Sequence, residues 1–200
     1  KNIEQSTIII GKPSDVQLTD DSRYFSSRIG NSILGGSGLT SRLASRIRTQ
    51  EGLAYSAASI WTTPVRSNGI IGAVTQTKSE TTVAALRLIT EILGEMSSAP
   101  PEESEIRDVV SQVTNSFVFN FQTPAQVVSR VMFYLADDLP EDWLERYSRG
   151  IQEITPEQVH EVFTDHLYPE EMTILVVGDV DRIGRTALER LGPVTVLRAD

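Results

Sequence analysis

Ser41-Arg-Leu-Ala-Ser-Arg-Ile-Arg-Thr-Gln-Glu-Gly-Leu-Ala-Tyr-Ser56 holds the change of period on which the fold turns. Leading into it, Leu39, Leu43 and Ile47 recur four apart, as on one face of a helix. Gly52 stands where a helix takes its C-terminal stop. Beyond it Leu53 to Thr62 reads as a strand, and Ile70 to Gln76 as a second. Pro64 and Asn68-Gly69 lie between them, and Asn-Gly between two β-rich runs signals a hairpin. A helix feeding a central antiparallel hairpin is therefore predicted.

Working outward, Gln5 to Gly11 is a β-branched run stopped by Gly-Lys-Pro. Tyr24, Phe25, Ile29, Ile33 and Leu34 mark a helix from about Asp20, broken at Gly35-Gly36-Ser37-Gly38. Downstream, Thr77 to Glu80 reads as a capping box opening a helix with Ala85, Ile89, Ile92 and Met96 on one side. Pro100-Pro101 separates it from a helix striped by Val110, Val113, Phe117 and Phe121. Phe117, Phe119 and Phe121 alternate as in a strand, but the acidic first turn favours helix. Thr123-Pro-Ala-Gln126 and Thr155-Pro-Glu-Gln158 are further capping boxes with Pro at the first helical position. They open helices over 124–136 and 156–167, with another over 141–152. A buried strand over Met172 to Gly178, a helix over 182–191 and a last strand over Val194 to Leu197 complete the reading. The fold class is α/β (α+β): two layers, a mostly antiparallel sheet with helices on one face. Residues 1–200 are expected to form a single domain.

Composition narrows the chemistry. The 200 residues carry a net charge of −9, distributed as +3 over residues 1–50, −1 over 51–100 and −11 over 101–200. An acidic chain with no basic run is a poor match to nucleic acid, and no apolar run approaches the ~20 residues of a membrane span. A soluble protein, cytoplasmic or periplasmic, is expected. The chain begins Lys-Asn-Ile-Glu without a Met, which reads as a piece of a longer polypeptide or a processed chain. There is no cysteine, so thiolate metal sites, disulfides and thiol catalysis are excluded. The two histidines, His160 and His166, are six residues apart on one helix. They point about 120° away from each other and read as surface residues rather than a zinc pair. Gly35-Gly36-Ser37-Gly38 lacks the Gly-Lys-Ser/Thr continuation of a phosphate loop and reads as a turn. No nucleophile elbow is present.

Ile33-Leu-Gly-Gly-Ser-Gly-Leu-Thr-Ser-Arg-Leu43, then Arg48, then Gly52-Leu-Ala-Tyr55 seven residues after that Arg, resembles the second-domain signature of insulinase/pitrilysin-type zinc peptidases, the inverted zincins. The likeness extends to the Thr155-Pro-Glu-Gln158 helix and the closing Val177-Gly-Asp179. It implies a half-unit like those of mitochondrial processing peptidases, of the C-terminal, non-metal type. The partner half or subunit would carry His-x-x-Glu-His and zinc. This chain would wall a cavity for an unfolded peptide, supply Arg48 and Tyr55, and be inactive alone. Homo- or hetero-dimers are both compatible with that division. The resemblance gives each residue a role: a Tyr55 phenol donating to the carbonyl oxygen on which charge builds, and an Arg48 guanidinium holding peptide carbonyls or a carboxylate. Taken singly, Arg48 reads as a helix C-terminal cation and Tyr55 as a half-buried strand aromatic. Two other readings follow from the same sequence: a silent structural subunit of a larger assembly, and a free-standing peptide-binding module.

Overall fold

A computed structural model describes residues 4–197. Its centre is a four-stranded antiparallel sheet in the order β2-β3-β1-β4. β1 (Gln5–Ser14) lies between β3 (Gly69–Lys78) and β4 (Thr173–Val177), and β2 (Ala54–Trp61) closes the far edge. β1 runs past the predicted stop at Gly11. Its pairing with β4 ends there, so Pro13, which has no N–H to give, sits where one side of the strand is open.

The helices are α1 (Ser22–Asn31), α2 (Thr82–Ser98), α3 (Glu103–Phe117), α4 (Pro124–Ala136), α5 (Trp143–Gln152) and α6 (Pro156–His166), followed by the short α7 (Val180–Ile183) and α8 (Arg185–Glu189). One face of the sheet is covered by α1 and α2, with α6 packed on both. Ile8, Ile10 and Ile71 point down into one apolar cluster with Ile29, Leu86, Ile89, Val159 and Phe163. The Trp61 and Phe163 rings sit 5.4 Å apart. Each apolar side chain of that size, fully buried, contributes roughly 1.5–3 kcal/mol. Thr123 and Thr155 form the expected capping boxes, each accepting from the backbone N–H three residues on while Gln126 or Gln158 reaches back.

Five expectations are corrected. Thr77 belongs to β3 and donates its hydroxyl to Leu53 O, so no capping box forms, and α2 starts at Thr82 after a 3₁₀ turn. Leu39 is 57% exposed, because a 3₁₀ turn over Gly38–Thr40 takes it off the face that Leu43 and Ile47 share. β4 is a sheet edge, with Ile174, Leu175 and Val177 exposed, where its unbroken apolar run suggests burial. The helix over 182–191 is split at Gly184, whose φ of 88° belongs to the left-handed region. Val194 to Leu197 pairs with no strand.

Candidate functional site

The segment carrying Arg48 winds more loosely than an α-helix. Ala44–Gln50 is π-helical, closed by the Glu51 N–H donating to Arg46 O at 3.0 Å. A second π turn, Ser32–Gly36, presses against β2, where a Cβ on Gly35 would lie 2.0 Å from Ser59 N. Only glycine allows that approach, which gives the Gly-Gly turn a packing role rather than a phosphate-binding one. Gly52, at φ 61°, ends the first segment as predicted. The Leu53 N–H then donates to Ile47 O at 2.9 Å, tying the start of β2 to the helical segment.

A bulge sets the direction of Tyr55. Ala54 pairs with Thr77 and Ser56 with Gln76, so Tyr55 is the extra residue, and it and Ser56 are both turned outward. Bulges re-aim side chains in this way next to working sites. Tyr55 is 81% exposed, the most exposed of the five tyrosines. Tyr24 shows the opposite case, since burial among Phe25, Trp143 and Tyr147 pushes its phenol up to about 12.

The Arg48 guanidinium carbon lies 4.5 Å from the Tyr55 ring centroid, a stacked cation–π pair. The structure thus brings the two residues of the signature together. The neighbouring arginines are engaged elsewhere. Arg42 grips Glu105 through two bonds of 2.9 and 2.7 Å, which raises the guanidinium's pKa further and lowers that of the Glu105 carboxyl below the ordinary range. Arg46 donates to Glu95 at 2.7 and 2.8 Å and to Glu91 at 2.6 Å. Arg42, Arg46 and Arg48 stand close together in the sequence, which does not divide them. The carboxylate partners of Arg42 and Arg46 lie 45 to 63 residues downstream and become legible only in the folded chain.

Both histidines are turned to protein oxygens. His160 Nε2 lies 3.1 Å from Ser97 O. His166 is only 6% exposed, which corrects its reading as a surface residue. Its Nδ1 is 2.9 Å from Val162 O and its Nε2 2.7 Å from Asp15 Oδ1, and this hydrogen bond is the main influence holding the Asp15 carboxyl below its usual value. Among the described residues no group of three or more His, Cys, Asp or Glu is placed to hold a metal ion, and no helix is long and apolar enough to cross a membrane.

Comparison with known proteins gives the chain a family. The sequence profile of the family described as "Peptidase M16 inactive domain" matches residues 1–113, and the chain belongs to that family. Among solved structures it is similar to the peptidase M16 inactive domain from Pseudomonas fluorescens, at TM-score 0.80 and 28% identity, over 89% of this chain and 42% of that one. It is 25% identical to "Non-peptidase homolog YmxG" of Helicobacter pylori over 90% of this chain and 41% of that protein. It is 26% identical to "Uncharacterized zinc protease SCO5738" of Streptomyces coelicolor over 84% of this chain and 36% of that protein. The chain therefore spans less than half the length of these relatives.

Proposed function

We propose that residues 1–200 form one C-terminal-type half-unit of a zinc endopeptidase, working with a half-domain or subunit that carries His-x-x-Glu-His and zinc. The proposed role is to wall the substrate cavity, hold part of an unfolded peptide and support its cleavage through Arg48 and Tyr55. The observation that carries this is the Arg48–Tyr55 cation–π pair, with Tyr55 turned outward on a bulge and Arg48 laid over its ring while Arg42 and Arg46 are held by glutamates. In support of placing zinc on the partner, both histidines of this chain are turned to protein oxygens.

The chemistry on this side of the cavity is hydrogen bonding. An exposed phenol O–H can donate to a peptide carbonyl oxygen as negative charge builds on it, and losing one such donor costs on the order of 10²–10³ in rate. The guanidinium, lying over the ring, offers N–H donors for peptide carbonyls or a carboxylate.

A catalytically silent structural subunit is the second reading, favoured by the likeness to a protein named a non-peptidase homologue. Assaying unfolded peptides with this chain, with its metal-bearing half and with the mixture separates the two. The proposal expects chelator-sensitive cleavage by the mixture beyond that of the metal half, and none by this chain alone. A mixture no faster than the metal half supports the silent subunit. One zinc bound per chain, dependent on His160 and His166, contradicts the assignment of metal to the partner.

A further inference from the structure

We infer that Arg46 is a positioning residue for the Arg48–Tyr55 pair, holding the segment that carries Arg48 against α2 through Glu91 and Glu95. The inference rests on the reading of Arg48 and Tyr55 as site residues given above.

Arg48 sits near the end of a π-helical segment, and from Thr49 to Gly52 the chain is exposed. π-helical winding is rare and usually confined to a single turn, so a segment of this length needs fixing from outside. Inside the protein, the Ile47 side chain is fully buried and its carbonyl accepts from Leu53. Arg46 supplies the outer tie. Its carbonyl closes the last turn with the Glu51 N–H, and its guanidinium spans two carboxylates.

Those carboxylates are a rigid mount. Glu91 and Glu95 lie one turn apart on α2, whose Ala85, Ile89, Ile92 and Met96 are sealed in the core. Two glutamates at that spacing repel each other, and a single guanidinium bonded to both removes the repulsion. The arrangement is a charged network in which one guanidinium bonds two carboxylates, unlike an isolated surface pair. Arg42, bonded to Glu105 on α3, also anchors this stretch, but it precedes the π-helical segment and shares no bond with the turn leading to β2.

The test is an NMR measurement on the 200-residue chain. A guanidinium over the face of a tyrosine ring lies in the ring current, so the Arg48 Nε–H and Cδ protons should resonate upfield. Tyr55→Leu should abolish that displacement and so assign it. Arg46→Met keeps most of the apolar stem and loses both carboxylate bonds. It should remove most of the upfield displacement while the amide spectrum of β2 and β3 holds. Arg42→Met, which cuts the other ion pair of the same stretch, should leave it in place. If Arg46→Met does not fold, Glu91→Gln combined with Glu95→Gln breaks the same tie from the α2 side. An unchanged Arg48 displacement in a folded variant lacking the Arg46 tie overturns the inference, whatever happens to melting temperature. The measurement needs no proteolysis. Loss of the displacement alongside an inert Tyr55→Phe would leave the positioning role standing and remove the catalytic one.

Discussion

Along β1, Ile8 and Ile10 are sealed beneath the helices, while Ile9 between them is 38% exposed. β3 repeats the pattern, with Ile71 fully buried and Ile70 53% exposed. The two faces of the sheet use the same β-branched residues at alternate positions, and the difference lies in what is laid over them. On the covered face, apolar side chains contribute stability through close packing. On the open face, Ile9, Ile70, Leu175 and Val177 make an uncovered apolar wall. The same division runs through the arginines. Arg42 and Arg46 are spent on glutamates of α3 and α2, and Arg48 is laid on the ring of Tyr55. Residue type alone therefore does not tell which arginines are tied to carboxylates in this chain.

The largest stability effect should come from the covered face. Ile71→Ala opens a cavity in a fully buried site and should lower unfolding free energy by about 2–5 kcal/mol. Chemical denaturation measures this, and a loss no greater than that of an open-face substitution would erase the distinction between the faces.

A smaller effect is expected from the half-buried Arg42–Glu105 pair. Because Arg42 lowers the folded-state pKa of Glu105, the unfolded chain binds more protons at acid pH. The pair's contribution is thus present above the ordinary glutamate pKa and lost as pH falls through the depressed one. Glu105→Gln should cost about 1 kcal/mol near neutrality and flatten the acid limb of the stability curve. An unchanged acid limb would show that the pair is too solvated to matter.

The smallest stability effect belongs to the open face. Ile70→Thr should shift stability by no more than about 0.5 kcal/mol while weakening association with the metal-bearing half or with peptide. A large loss of stability with unchanged association would mean that the open face is a second core surface.

The sequence was most readable where four or five neighbouring residues carry the whole instruction. The capping boxes at Thr123 and Thr155, the Asn68-Gly69 hairpin and the Gly52 stop are of this kind. It misled where a distant partner decides. Thr77 carries a capping pattern, but its hydroxyl is taken by Leu53 O and strand pairing runs through it. β4 is apolar from Ile174 to Val177, which does not distinguish a central strand from an edge. His166 looks like a surface residue until Asp15, 151 positions away, is brought against it. Arg48 and Tyr55 were legible as a pair through their signature, but their contact depends on π-helical winding and a bulge that local pattern does not encode.

The most direct test of the central proposal is the steady-state kinetics of Tyr55→Phe in the complex with the metal-bearing half. Phe keeps the ring for Arg48 to stack on and removes only the hydroxyl, so melting should barely move. A donor to charge that appears only in the transition state acts on kcat and kcat/KM together. A fall in kcat of about 10²-fold or more is expected, with KM little changed. A kcat within about twofold of wild type, well inside what a lost oxyanion donor would cost, with unchanged melting, would contradict it and leave Tyr55 an exposed strand aromatic.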